Sequence, residues 1–274
     1  MHHVSTRYRV DVAKRSDPGT AWSAYREAHE ELRTWLDGLP DTAWPRQSCL
    51  PGWTVAELAA HIASVADSVV AVKAASREST AKSIGEYLAA YAPAADVIAG
   101  RAREAAESAA HEPSALLQTI DERFASAAEH VEELGLRDRV VEGRRGPIRL
   151  GDFLLTRVIE IVVHGDDFAR SLPESGAPRL PRAASRMAVR ALLEALAERA
   201  PGRSVEVRVP PHAAVQCVEG PQHTRGTPAS VVETDAATWI RLASGRVSWQ
   251  EAVAEGHVSA SGERADLSAY VPLL

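Results

Sequence analysis

From Ala21 to about Leu172 the apolar positions return every three or four residues, the spacing that lines one face of an α-helix. Trp22, Tyr25, Ala28, Leu32, Trp35, Leu36 and Leu39 form one such stripe over Ala21–Leu39, and Pro40 ends it. A proline-bearing loop follows through Cys49-Leu50-Pro51-Gly52-Trp53. Thr54 with Glu57 three residues on is a capping box, in which each side chain satisfies the other residue's backbone N–H. It opens a helix through Leu58, His61, Ile62, Val65 and Val69. Further helices are expected over Ile84–Tyr91, Ala94–Ala110 and Ser114–Leu134, with Gly135 as the stop. The polar, glycine-bearing stretch Arg137–Arg149 reads as a loop. Leu150–Leu172 is apolar on nearly all sides, the mark of a helix buried in the middle of a bundle.

Pro173–Pro181 carries proline, glycine and serine and reads as a linker. It divides a helical bundle, residues 1–172, from an α+β domain, residues 173–274. After one more helix, Arg182–Ala200, the period switches to two. Val205–Val209 alternates as a strand, and Ala214–Val218 and Ser230–Glu233 read as two more. Asp235 can cap a short helix through Leu242, Trp249–Glu255 suggests another, and Val258–Ser261 an edge strand.

With 274 residues, 45% of them hydrophobic, the chain has enough apolar surface for one large core or two ordinary ones, which excludes a disordered protein. The net charge of −6, without a basic block, leaves no electrostatic footprint for nucleic acid or an anionic membrane. No apolar run reaches the length of a membrane span, and the first residues do not resemble a signal peptide. Two cysteines, Cys49 and Cys217, are too few for a disulfide framework and suit a reducing cytoplasm. No P-loop, dinucleotide-binding glycine pattern or Gly-x-Ser-x-Gly elbow occurs, which argues against nucleotide chemistry and a serine hydrolase.

The chemistry lies in Glu and His residues four apart, which on a helix point to one side and can both reach a metal. Four such pairs occur: Glu57/His61, Glu107/His111, Glu160/His164 and Glu219/His223. Gly220 and Pro221 break any helix across the last. Glu107/His111 sits in a polar helix end, and Glu57 has its capping role. Glu160 and His164 lie inside the most apolar segment of the chain, where an unpartnered carboxylate costs several kcal/mol. Two readings fit. Glu160 pairs with an Arg such as Arg157 while His164 is a core histidine, or the two bind a metal with His61, which faces inward beside Leu58, Ile62 and Val65. Three protein ligands leave an open position, as in catalytic zinc sites, and the same set suits non-haem Fe(II). Asp167 can hold a ligand histidine or meet solvent. Cys49, near the His61 helix, reads as a small buried thiol, with a nucleophile or metal ligand as the alternative; His29 and His130 read as histidines on exposed or interfacial helix faces, and Arg144-Arg145 as a solvated turn rather than an anion clamp.

Three stretches carry a family resemblance: Leu39-Pro40 with Cys49-Leu50-Pro51-Gly52-Trp53-Thr54-Val55 and His61; Glu160 through His164-Gly165-Asp166-Asp167; and the tail Asp235–Trp239, Gly245-Arg246, Trp249 and Ser261-Gly262. In these the chain resembles the mycothiol-dependent maleylpyruvate isomerase family, DinB-like metal-binding four-helix bundles followed by a sterol-carrier-like α+β domain. The resemblance implies that His61, Glu160 and His164 bind a divalent metal, usually zinc, and that mycothiol is the thiol cosubstrate. It also implicates a C-terminal arginine, best matched by Arg246, with Arg241 behind it. Relatives commonly carry Trp after the His-Gly, where this chain has Asp166, an acidic change that would alter substrate fit. The activity implied is cis–trans isomerisation of a small electrophilic alkene, or transfer of the thiol to it. An apolar-ligand carrier working through the C-terminal domain and a non-catalytic metal-binding stress protein are the other classes open to this sequence.

Overall fold

Asp17 starts the first helix. Its carboxylate accepts the Thr20 N–H at 2.8 Å, and Pro18 at the first helical position gives up only an N–H that would have had no partner. The resulting helix α1 spans Pro18–Asp37. The computed structural model describes residues 16–91, 93, 97–100, 102–104, 112–221 and 230–274. They fall into two units, one from Ser16 to Met187 and one from Ala188 to Leu274.

In the first unit three further long helices accompany α1: α2 (Val55–Val70), α4 (Pro113–Leu134) and α5 (Leu150–Ser171), with a short α3 (Ile84–Leu88) between α2 and α4. Helix α2 lies along α4 and α1 along α5, and α2 also meets α5. The stripe read from α1 is the buried one, since Ala21, Tyr25, Ala28, Leu32 and Leu36 are all inaccessible. Thr54 and Glu57 form the expected capping box on α2, with both reciprocal hydrogen bonds present. Helix α5 is buried on nearly every side from Leu150 to Ser171. Residues 97–100 and 102–104 are helical, and the rest of the helix expected over Ala94–Ala110 lies outside the described residues.

The loop expected over Arg137–Arg149 is a β-hairpin instead. Strands β2 (Val140–Gly143) and β3 (Gly146–Arg149) pair antiparallel, and the two-residue β1 (Lys73–Ala74) adds to the free edge of β2. Only Val141 and Ile148 face the core. They sit directly opposite one another and are fully buried. One apolar residue per strand cannot generate a visible alternation, so charge and glycine dominate the pattern there. Gly146, at φ +105°, accommodates the exit from the turn.

A second correction concerns His29. It is 4% exposed, and its ring stacks on Phe124 at 3.7 Å between centroids with 13° between planes. The aromatic neighbours Trp22 and Tyr25 complete that cluster. His130 is half-buried, its Nε2 2.8 Å from the Val72 carbonyl.

In the second unit the sheet order is β5-β4-β6-β7, built from β4 (Val205–Val209), β5 (Ala213–Cys217), β6 (Ser230–Thr234) and β7 (Val258–Ser261). The central pair β4 and β6 is parallel and the other pairs are antiparallel. Val205, Val207 and Val209 alternate inward and are fully buried, as the period of two requires. Helix α6 (Arg182–Arg199) enters this unit at Ala188, and α7 (Ala236–Ala243) and α8 (Trp249–Ala254) follow β6. Asp235 caps α7 by accepting the Thr238 N–H at 3.0 Å. Trp239 is 1% exposed, and its indole N–H donates to the Val189 carbonyl at 3.3 Å. Both cysteines are free thiols. No helix among the described residues is long and apolar enough to cross a membrane.

Candidate metal centre

The site forms where α2 meets α5. His61 lies on the face of α2 that also buries Leu58, Ile62 and Val65, while Glu160 and His164 are one turn apart on α5. Glu160 Oε2 stands 3.5 Å from His61 Nε2 and 3.2 Å from His164 Nε2. One potential ligand atom from each of the three side chains lies within 4.8 Å of the other two. The imidazole rings meet edge to face, with centroids 4.7 Å apart, and the Trp53 ring centroid lies 5.8 Å from that of His61. Both histidines are 7% exposed.

Asp167 completes the arrangement. It is inaccessible to solvent, and its Oδ2 lies 3.0 Å from His164 Nδ1. A neutral His164 that donates Nδ1–H to this carboxylate turns the lone pair of Nε2 toward Glu160 Oε2, which also carries lone pairs. Two acceptors 3.2 Å apart require a proton or a cation between them. The donor set fits a metal: ligands about 2.1 Å from a tetrahedral ion lie about 3.4 Å apart. Two imidazole nitrogens and one carboxylate oxygen suit a borderline divalent ion.

The electrostatics are strongly coupled. Burial pushes the Glu160 carboxyl up, but hydrogen bonds from His164 and His61 and the charge of Arg157 outweigh it and hold the group well below the carboxylate range. Burial likewise lowers His164, yet Asp167 and Glu160 raise it overall. His61 is lowered, chiefly by burial. Its Nδ1 is buried without a hydrogen-bond partner. Arg157 Nη2 stands 3.9 Å from Glu160 Oε1. The ion pair and the metal-type triad read as alternatives in the sequence therefore coexist on one carboxylate.

Cys49 reaches this neighbourhood from the loop before α2. Its Sγ lies 3.3 Å from the Asp167 carbonyl and 3.7 Å from Asp167 Oδ1. Burial and the Asp167 carboxylate push the thiol up, so it stays protonated at neutral pH and makes a poor nucleophile. Gly165, after His164, is a point of close approach: a Cβ there would lie 2.6 Å from Leu180 Cδ1, so the glycine lets the segment that carries Leu180 lie against α5. The neighbouring Asp166 is half-buried.

Glu57 is engaged in its cap, its Oε2 accepting the Thr54 N–H at 2.6 Å. Glu107, His111 and His223 lie outside the described residues. Arg144 is exposed in the turn between β2 and β3, and Arg145 beside it is half-buried. The Arg145 guanidinium carbon sits 3.7 Å over the Tyr91 ring, and its Nε is buried without a partner. Arg246 lies just past α7 in the second unit, where its backbone N–H donates to the Arg241 carbonyl and its guanidinium to the Ser244 carbonyl. Sequence reasoning gave no account of the anchors of Arg157, namely Ser68, Thr156 and Tyr91. Small hydroxyl residues in helices carry no signal without knowledge of their neighbours.

Among curated proteins no match was found. A solved structure described as the mycothiol-dependent maleylpyruvate isomerase superposes with a TM-score of 0.58 at 17% identity, covering 91% of this chain and 94% of the other. A histidine-to-alanine mutant of that isomerase superposes similarly, with a TM-score of 0.57 at 16% identity and the same coverage. At that identity the likeness concerns the fold: a helical DinB-like domain followed by a sterol-carrier-like α+β domain. The family model described as bacterial SCP ortholog matches residues 181–273. The model described as mycothiol maleylpyruvate isomerase N-terminal domain matches residues 25–169, more than half the chain and the whole of the His61, Glu160 and His164 set, so the protein belongs to that family.

Proposed function

We propose that this protein is a metal-dependent enzyme that uses mycothiol to act on a small electrophilic alkene, either isomerising it as a maleylpyruvate-isomerase-like enzyme or transferring the thiol to it. The observation that carries the reading is the convergence of His61 Nε2, Glu160 Oε2 and His164 Nε2 in a buried site, with Asp167 on the far nitrogen of His164. His61, Glu160 and His164 would hold the ion, zinc being the fitting choice for two imidazoles and a carboxylate. When bound, such an ion supplies an open coordination position and lowers the pKa of a thiol.

The chain's own residues do the rest. Asp167 keeps the Nδ1 proton of His164 in place and so holds Nε2 as an acceptor. Trp53 packs against the His61 ring, nearly perpendicular to it. In the reaction, the thiolate adds to the activated double bond to leave an enolate, rotation follows about the new single bond, and expulsion of the thiolate returns the alkene in its other geometry. In transfer the enolate instead takes a proton from solvent and the thioether adduct is kept. Arg246, with Arg241 as the next choice, is proposed to assist with an anionic substrate group.

The test is elemental analysis of protein purified without added metal or a metal-binding tag, followed by thiol-dependent assays on cis-alkene diacids. About one zinc per chain, lost in His61→Ala and His164→Ala, with isomerisation that needs mycothiol, supports the reading. A chain that retains no metal when zinc is offered overturns it. Accumulation of the thioether adduct would assign transferase over isomerase.

A further inference from the structure

Arg157 sits on α5 one turn before Glu160 and is 3% exposed, a charge in the middle of the bundle. A buried guanidinium persists only where its donors find acceptors and its charge finds a counter-ion. Nη1 donates to Ser68 Oγ at 2.8 Å, Nη2 to Thr156 Oγ1 at 3.0 Å, and Nη2 also to the Tyr91 hydroxyl. Its counter-ion is Glu160, whose Oε1 lies 3.9 Å away.

The two carboxylate oxygens of Glu160 are thus divided between two tasks. Oε1 faces the cation and Oε2 faces both histidines. The terminal torsion of a glutamate is soft and roughly two-fold, so nothing intrinsic to Glu160 enforces that division. Arg157 is the cation that faces Oε1, and two of its three anchors come from outside its helix. Ser68 belongs to α2, the helix that carries His61, and Tyr91 follows α3. One cation therefore ties the orientation of Glu160 to the position of the helix that supplies the third ligand.

We propose that Arg157 is a positioning residue of the metal centre, holding Glu160 so that a single oxygen is presented to the ion; this rests on the metal reading above. Simple charge predicts the opposite of positioning. A cation beside a metal site repels the metal, so at a pH high enough to keep Glu160 ionised without Arg157, loss of the charge alone would tighten metal binding. If it positions Glu160, removing it weakens binding. The sign of the change separates the two.

The experiment measures zinc affinity by chelator competition and the visible absorption of the Co2+-substituted protein for the wild type, Arg157→Met, Arg157→Lys and Ser68→Ala. Arg157→Met is expected to weaken zinc binding about ten- to a hundredfold, the range typical of groups that hold metal ligands, and to alter the Co2+ bands. Arg157→Lys, which restores the charge without the fork, should recover part of the loss. Ser68→Ala removes one anchor and keeps the charge, and should weaken binding severalfold. It carries the test if Arg157→Met fails to fold. Unchanged or tighter zinc binding in the folded variants, with unaltered Co2+ bands, would overturn the proposal. A wild-type chain that binds neither ion would overturn the metal reading and this inference with it.

Discussion

Asp167 offers the sharpest perturbation of the site because it touches no metal itself. Its carboxylate is inaccessible, and Oδ2 meets His164 Nδ1 at 3.0 Å. Replacement by alanine leaves Nδ1–H buried without an acceptor and lets the ring rotate away from Glu160. Asparagine keeps an acceptor of similar shape and loses only the charge. Partners of this kind typically contribute ten- to a hundredfold to metal affinity, which converts to about 1.4–2.7 kcal/mol. Asp167→Asn should fall near the lower figure, because its carbonyl can still accept from Nδ1. Asp167→Ala should approach the higher one, because a neutral isostere is absent too. The assay is competition between protein and a chromophoric chelator for zinc at fixed pH, with far-ultraviolet circular dichroism to confirm helicity. Wild-type affinity in Asp167→Ala would refute the argument that this carboxylate orients the ligand. Equal losses in Asn and Ala variants would assign the whole effect to charge and none to geometry.

Glu160→Gln should reduce metal content per chain to a small fraction of wild type while leaving helicity intact; unchanged metal content would remove Glu160 from the ligand set. Burial pushes His29 down to about 4 from its ordinary 6.5. Between those pH values the unfolded chain binds a proton that the folded chain does not, so stability falls as pH drops. The slope is about 1.4 kcal/mol per pH unit, or about 3 kcal/mol in all. His29→Leu should flatten that dependence in urea midpoints taken from pH 7 to pH 4.5, and parallel curves would count against it. Thr54→Ala removes the cap on the helix that bears His61 and should cost about 1 kcal/mol, read as a lower midpoint in thermal unfolding; no shift would mean that the cap is redundant.

The long helices and the grouping of His61, Glu160 and His164 were largely legible because each rests on a periodic signal. The stripe through Trp22, Tyr25, Leu32 and Leu36 is the buried face of α1, and the Thr54/Glu57 box starts α2 at the residue read from the sequence. Glu160 and His164 stood out because charge in an apolar helix demands a partner. The hairpin at Val140–Arg149 was not legible, since its only inward residues are Val141 and Ile148 and their partnership is set by pairing across the turn. The burial of His29 was hidden for a similar reason. Its cover is Phe124, on a helix far away in sequence, and no spacing within α1 announces a ring that arrives from elsewhere. The coexistence of the Arg157 pair with the histidine contacts was also missed. Reading a carboxylate as having one partner overlooks that its two oxygens can serve different neighbours.

Arg157, Glu160, His164 and Asp167 all project from α5, and only His61 comes from another helix. Such a layout makes the site most sensitive to length changes inside one short segment of α5 and tolerant of them in the loops. Inserting a single residue between Glu160 and His164 would turn everything beyond it by about 100° around the helix axis, carrying His164 and Asp167 off the face shared with Glu160. The same insertion in the hairpin turn or the Pro173–Pro181 linker shifts none of these four relative to one another. Relatives of this chain can therefore be expected to vary in loop length while keeping the interval from Arg157 to Asp167 free of insertions and deletions.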